Sequence, residues 1–118
     1  MKNLHDLVLG KPGTIDEETF GPLRVTETTL QEAQRLVHGD RGVAYGHPLD
    51  DFSRTAAMWS AILGHQVSAE QVGLCMCAVK ISRQCNMPKR DNMVDLAGYA
   101  ETVQMVIGER AKRELTKP

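Results

Sequence analysis

Between Lys80 and Tyr99 the chain carries acids and cations at helical spacing. Asp91, Asp95 and Tyr99 recur every four residues, so a helix would set them in one stripe with Asn92 beside it. Lys80 and Arg83 lie just upstream, three apart, with Pro88 between the two groups. A carboxylate stripe facing a cationic pair across a tight helical hairpin suits a phosphate-and-metal site. Mg2+ takes hard oxygen ligands, usually one or two carboxylates together with phosphate oxygens and water. The same arrangement also suits a structural salt-bridge network. Asp91 fits equally well as a first-turn acid that stabilises a helix dipole. Asp95 is the stronger site candidate. It sits a turn in, among Met93, Val94, Leu96 and Ala97, where Asp is a poor helix former and a half-buried carboxylate needs a partner. Lys80 and Arg83 either pair with these acids, neutralise a phosphate, or reach solvent from an apolar helix. Lys89 and Arg90, at the turn, read as exposed.

A second group is Tyr45-Gly46-His47-Pro48-Leu49-Asp50-Asp51. His47 and Asp51 are four apart, the spacing of two ligands or a hydrogen-bonded pair on one helical face. Gly46 permits close backbone approach. Alternatively, His47 caps the helix and Asp50 and Asp51 are its first-turn acids. Tyr45 either stacks on a base or packs within its loop. Trp59 stands at core spacing with Phe52 and Thr55, and Arg54 reads as a surface residue. Cys75, Cys77 and Cys85 lack the paired spacing of structural zinc and read as core thiols. His5, His38 and His65 carry no spacing signal. No phosphate loop, HExxH pair or nucleophile elbow is present.

The elements that must position these residues read as helices. The first begins near Thr28, with Thr29 and Glu32 fitting a capping box, and stops at Gly39. The glycine-rich stretch HGDRGVAYGHP then reads as a loop. A second helix begins around Pro48 and ends at Gly64. A third starts at Ser68, with Gln71 completing a capping box, and runs to about Cys85. It is apolar on most sides between Val72 and Ile81, which predicts the central, most buried helix. Pro88 breaks it. A fourth runs from about Asp91 to Glu114, its charged last turns solvated. No segment alternates like a strand. The expected fold is all-α, a four-helix bundle over residues 27–118, preceded by a weakly structured N-terminal arm over residues 1–26.

The bulk numbers agree. The chain has 118 residues, room for one domain. Hydrophobic content is 42% and aromatic content 4%, which favours packed helices over a sheet. A net charge of -1 argues against nonspecific nucleic-acid binding. No apolar run approaches a membrane span. Three cysteines without a secretory signal point to a reducing, cytoplasmic setting. Self-association is expected for a chain this small.

The stretches YGHPLDDFSRTAAMW, KISR and RDNMVDLAGYA resemble a group of small phage and bacterial proteins. Their shared pattern is YGxP at a helix start, a Trp one helix on, a KxxR pair and a DxxxDxxxY stripe. That group in turn resembles the MazG-like all-α nucleoside triphosphate pyrophosphatases and phage nucleotide-modification-associated helical domains. The resemblance covers about residues 41–107. It implies an all-α fold, a dimer or tetramer, Mg2+ (or Mn2+) on acidic helix faces, and cleavage of an NTP or dNTP to monophosphate and pyrophosphate. Asn92 and Asp95 stand at the second acidic motif, ExxD, with Asn in place of Glu and Asp91 nearby. The first motif, ExxE, has no match, and His47 and Asp51 are the candidates in that helix.

Three readings follow from these residues. In the first, Asp51, Asp91 and Asp95 hold Mg2+, and Lys80 and Arg83 stabilise phosphate charge. Asp51, Asp95 and Lys80 then act in catalysis, while Tyr45, His47, Asn92 and Tyr99 contact the nucleotide. In the second, the same pocket sequesters a cyclic or signalling nucleotide without cleaving it, as a phage anti-defence protein would. In the third, the chain is a structural helical oligomer whose charges are all salt-bridged.

Overall fold

A computed structural model describes residues 27–118, and the expected N-terminal arm lies outside the described residues. The described residues are all helical, forming four rods and no strand. The first rod is compound. Helix α1 (Thr29–Arg35) passes into a π-helical segment (Leu36–Asp40) and then into α2 (Arg41–Tyr45). Helices α3 (Pro48–Leu63), α4 (Ala69–Asn86) and α5 (Arg90–Leu115) follow.

Local chemistry accounts for most boundaries. The first capping box sits one residue earlier than expected. The Thr28 hydroxyl accepts from the Gln31 N–H at 3.1 Å, and the Gln31 side chain accepts from the Thr28 N–H at 2.8 Å. Ser68 and Gln71 form the second box as read. The α3 cap is His47, whose Nδ1 accepts from the Leu49 N–H at 3.0 Å. Pro48 follows at the first helical position. Gly64, at φ 66°, supplies the left-handed stop.

The expected stop at Gly39 is corrected. The chain remains helical to Tyr45 and ends only at Gly46, where φ is 78°. The π segment explains how. Its wider i→i+5 turn lengthens the repeat, so that Ala33, Val37, Arg41 and Tyr45, each four apart, all line one cleft.

Helices α4 and α5 make the most extensive pairing; α3 packs on both, and α1 packs on α5. One buried cluster joins Leu49, Phe52 and Ala56 of α3 to Ala69 and Val72 of α4 and Val106 of α5, with Trp59 and Tyr99 against it. The helix with the most buried residues is α5, which inters Asn92, Val94, Gly98, Thr102, Val103 and Val106. Helix α4 inters only Ala69, Val72, Gly73 and Gln84, while Leu74, Cys75 and Ile81 are exposed. Its all-round apolarity therefore does not mark a central helix. Met58, Ile62 and Leu63 of α3 are exposed as well. Cys77 is partly buried, and that burial pushes its thiol pKa up.

The charged end of α5 is also not simply solvated. Arg113 grips Asp50 through two bonds of 2.7 and 2.9 Å and reaches Glu109 at 3.1 Å. Arg110 forks onto the Glu70 carboxylate. Two first-turn acids, on α3 and α4, are thereby tied to the last turns of α5. Hydrogen bonds from Arg113 and Arg110 hold the Asp50 and Glu70 carboxyls below their ordinary values of 3.8 and 4.5. Lowered carboxylate pKa values contribute stability above the ordinary values, and that stability is lost as pH falls through the lowered ones. The melting temperature is therefore expected to fall on acidification below pH 4.5. An Arg110→Met, Arg113→Met double variant should show a shallower fall. Equal acid slopes for the two proteins would contradict this assignment.

Candidate functional site

The Met-Pro break between α4 and α5 is built around Gln84 and Asn92, both buried. The Asn92 amide donates to the Gln84 side chain at 3.0 Å and to the Met87 carbonyl at 3.2 Å. The Lys89 N–H donates to the same Gln84 oxygen at 3.0 Å. Asn92 thus clasps the hairpin, as a buried amide with its partners satisfied. Arg90, expected to be exposed, is half-buried; it pairs with Glu32 and donates to the Glu27 carbonyl at 3.2 Å, anchoring α1 on α5.

The compound first rod leaves a cleft of about 200 Å³ against α5. Arg41 and Tyr45 line it from one side, and Asp95, Gly98, Tyr99 and Thr102 from the other. A second hollow of about 260 Å³ shares Arg41, Tyr45 and Tyr99 and reaches Asp51, Thr55 and Met76 on α3 and α4. Arg41 is the residue the two spaces have in common with both tyrosines. Its guanidinium lies 5.4 Å from the Tyr45 ring centroid and 5.0 Å from that of Phe52, within cation–π range. Nη2 donates to Asp51 Oδ2 at 2.9 Å. Nη1 is buried and has no hydrogen-bond acceptor among the described residues. The Tyr99 ring stacks on Phe52 at 6.4 Å, and the Thr102 hydroxyl donates to the Tyr99 carbonyl at 2.7 Å. Tyr45 is 59% exposed and stands at the mouth.

The residues singled out by sequence divide into two sets. Tyr45, Asp51, Asp95 and Tyr99 come together at the cleft. Lys80 joins them through Asp95, its Nζ 2.8 Å from the carboxylate. His47, Arg83, Asp91 and Asn92 stand elsewhere. His47 is the α3 cap, with Nε2 3.8 Å from Glu109. Arg83 and Asp91 are exposed and line neither space, and Asn92 is the hairpin clasp. Asp51 and Asp95 each face a cation of the protein, and among the described residues no three His, Cys, Asp or Glu side chains gather as a metal group. Of the three acids expected to hold Mg2+, Asp51 and Asp95 line the cleft and Asp91 does not.

Arg41 went unnoticed in the sequence. The signal was present: it stands four before Tyr45 and ten before Asp51. Reading HGDRGVAYGHP as a loop removed the helical register that relates them.

A helical domain with a cationic and aromatic cleft, and with relatives among phage proteins, is the class these features define. The chain belongs to the family described as a domain of unknown function, DUF6378, whose model matches residues 28–107. It is 37% identical over 91 residues to the Gene 55 protein of Mycobacterium phage D29, spanning 76% of this chain and 60% of that protein. It is 34% identical over 86 residues to the Gene 55 protein of Mycobacterium phage L5, spanning 69% of this chain and 55% of that one. The chain thus spans little more than half the length of these curated relatives. No solved structure matches.

Proposed function

We propose that this chain is a nucleotide-binding protein that holds its ligand without cleaving it. Arg41 takes a phosphate oxygen on Nη1, and Tyr45 and Tyr99 pack against base or sugar. The observation that carries this reading is the buried, acceptor-free Nη1 of a guanidinium that lies within cation–π range of two aromatic rings. A buried donor without an acceptor costs about 1–3 kcal/mol, a cost an anionic ligand would relieve. The MazG-like pattern supports a nucleotide as that anion. Cleavage through Asp51, Asp95, Lys80 and Mg2+ is the second reading, supported by their convergence at the cleft. Two ion pairs weigh against it, because both acids already face cations. The phage relatives suit sequestration of a signalling nucleotide in a host cytoplasm. The exposed apolar residues of α3 and α4 suit self-association through those helices.

Thermal-shift screening with linear and cyclic nucleotides, with and without Mg2+, tests the reading. A ligand at about a hundred times its Kd stabilises the fold by roughly 2.7 kcal/mol. Stabilisation without pyrophosphate release is the expected result. No shift with any nucleotide would reject binding, and turnover would favour the hydrolase.

A further inference from the structure

We infer that Asp51 is an internal competitor for the cleft's cation, latching Arg41 until an anionic ligand displaces it. The inference rests on the cleft being an anion site. A phosphate engages guanidinium best through two parallel bonds from adjacent nitrogens. Here one of the two terminal nitrogens, Nη2, is held by Asp51 at 2.9 Å, while Nη1 has no acceptor. An anion that reaches the buried Nη1 supplies its missing acceptor and takes Nη2 only as the carboxylate withdraws. Asp51 can withdraw: its side chain is 26% exposed, so it regains water. It also repels the incoming anion while it stays, and like charges near a protein surface interact strongly at such range.

The segment bearing Arg41 is built to move with the exchange. Helix α2 contains no buried residue, and Val43 on it is 91% exposed. The π-helical turn bounds it on one side and Gly46, at φ 78°, on the other. The Arg41–Asp51 ion pair is its side-chain link to α3 by charge. Losing that charge loosens the α2 wall of the cleft, where the Arg41 contact with Phe52 remains.

Asp51→Asn tests this, because Asn keeps an oxygen for Nη2 and removes the charge. Titration calorimetry with inorganic tripolyphosphate and with ATP, without divalent metal, compares it with the parent chain. Binding roughly tenfold tighter in D51N is expected. Faster amide hydrogen exchange over residues 42–46 in D51N is the second expected result, read without ligand. Asp51→Ser, which also removes the charge, should repeat both should D51N fail to fold. Equal or weaker binding in the folded variants, with the parent chain binding, overturns the competitor role and leaves the anion site standing. No binding of either probe to any of the proteins rejects the anion site, and this inference with it.

Discussion

Arg41→Met is expected to cut ligand-induced stabilisation to about half or less while leaving the melting temperature of the free protein unchanged or raised. The two halves of this result come from different atoms. Binding weakens because no other described cation lines either part of the cleft. A hydrogen bond to a charged group contributes about 1.5–3 kcal/mol, so affinity should fall at least tenfold. Stability survives because the opposing terms are of similar size. Removing Arg41 gives up a half-buried ion pair to Asp51, which contributes about 1 kcal/mol because the Asp51 carboxylate is partly exposed and regains water. It also gives up stacking on Tyr45 and Phe52, about 0.5–1 kcal/mol. Against these stands relief of the buried, unsatisfied Nη1, about 1–3 kcal/mol. Met retains an apolar stem of adaptable shape to fill the space. Calorimetric melting and ligand titration on the same sample check both parts. A variant that melts much lower and still binds would identify Arg41 as a structural residue.

The second large effect concerns the fold. Gly73→Ala should destabilise the protein, although Ala is the better helix former by about 1 kcal/mol. A Cβ at Gly73 would meet Val103 Cγ2 at 2.6 Å and Phe52 Cε2 at 3.3 Å. Val103 is buried in α5 and, being β-branched, is held to one rotamer on a helix. It cannot swing aside, so α4 and α5 must separate there. Overpacking of this kind costs about 1–3 kcal/mol, which exceeds the propensity gain over most of its range. A net loss of up to about 2 kcal/mol corresponds to a drop of up to roughly 16 °C in a domain this size. Gly108→Ala is the matched control. It lies on the same helix as Val103, is exposed, and its added Cβ meets nothing within 4 Å. It should raise the midpoint instead. Adding Val103→Ala to Gly73→Ala should restore much of the loss. Equal, positive shifts for both glycines would show that helix propensity, not packing, governs position 73.

Gly73 also shows why part of this protein could not be read in one dimension. Within α4 it is one small residue in an apolar run. Its importance comes from Phe52 and Val103, which other helices bring to it. The same holds for Asn92. Its spacing relative to Asp95 suggested a ligand face, and only the fold of the hairpin turns its amide onto Gln84 and Met87. Asp95 and Lys80 were legible as a charged pair fifteen residues apart, and they do meet. Arg41 was hidden by its glycine-rich surroundings. Gly39 and Gly42 looked like a loop, yet both remain helical, and a π turn carries the register through.

The amino-acid sequence by itself determined the helical class, the cap at Ser68, the helix start at Pro48, the stop at Gly64 and the break at Pro88. These depend on backbone conformations and hydrogen bonds made within a few residues, so local side-chain chemistry is sufficient to set them. It also determined that Tyr45, Asp51, Asp95 and Tyr99 were worth attention. Only the tertiary structure decided which charges meet. Asp51 faces Arg41, Asp95 faces Lys80 and Asp50 faces Arg113, because helix packing sets those distances and sequence separation does not. The character of the cleft follows from that pairing. With both its acids ion-paired and one arginine donor unanswered, it is the place where we propose an anion binds.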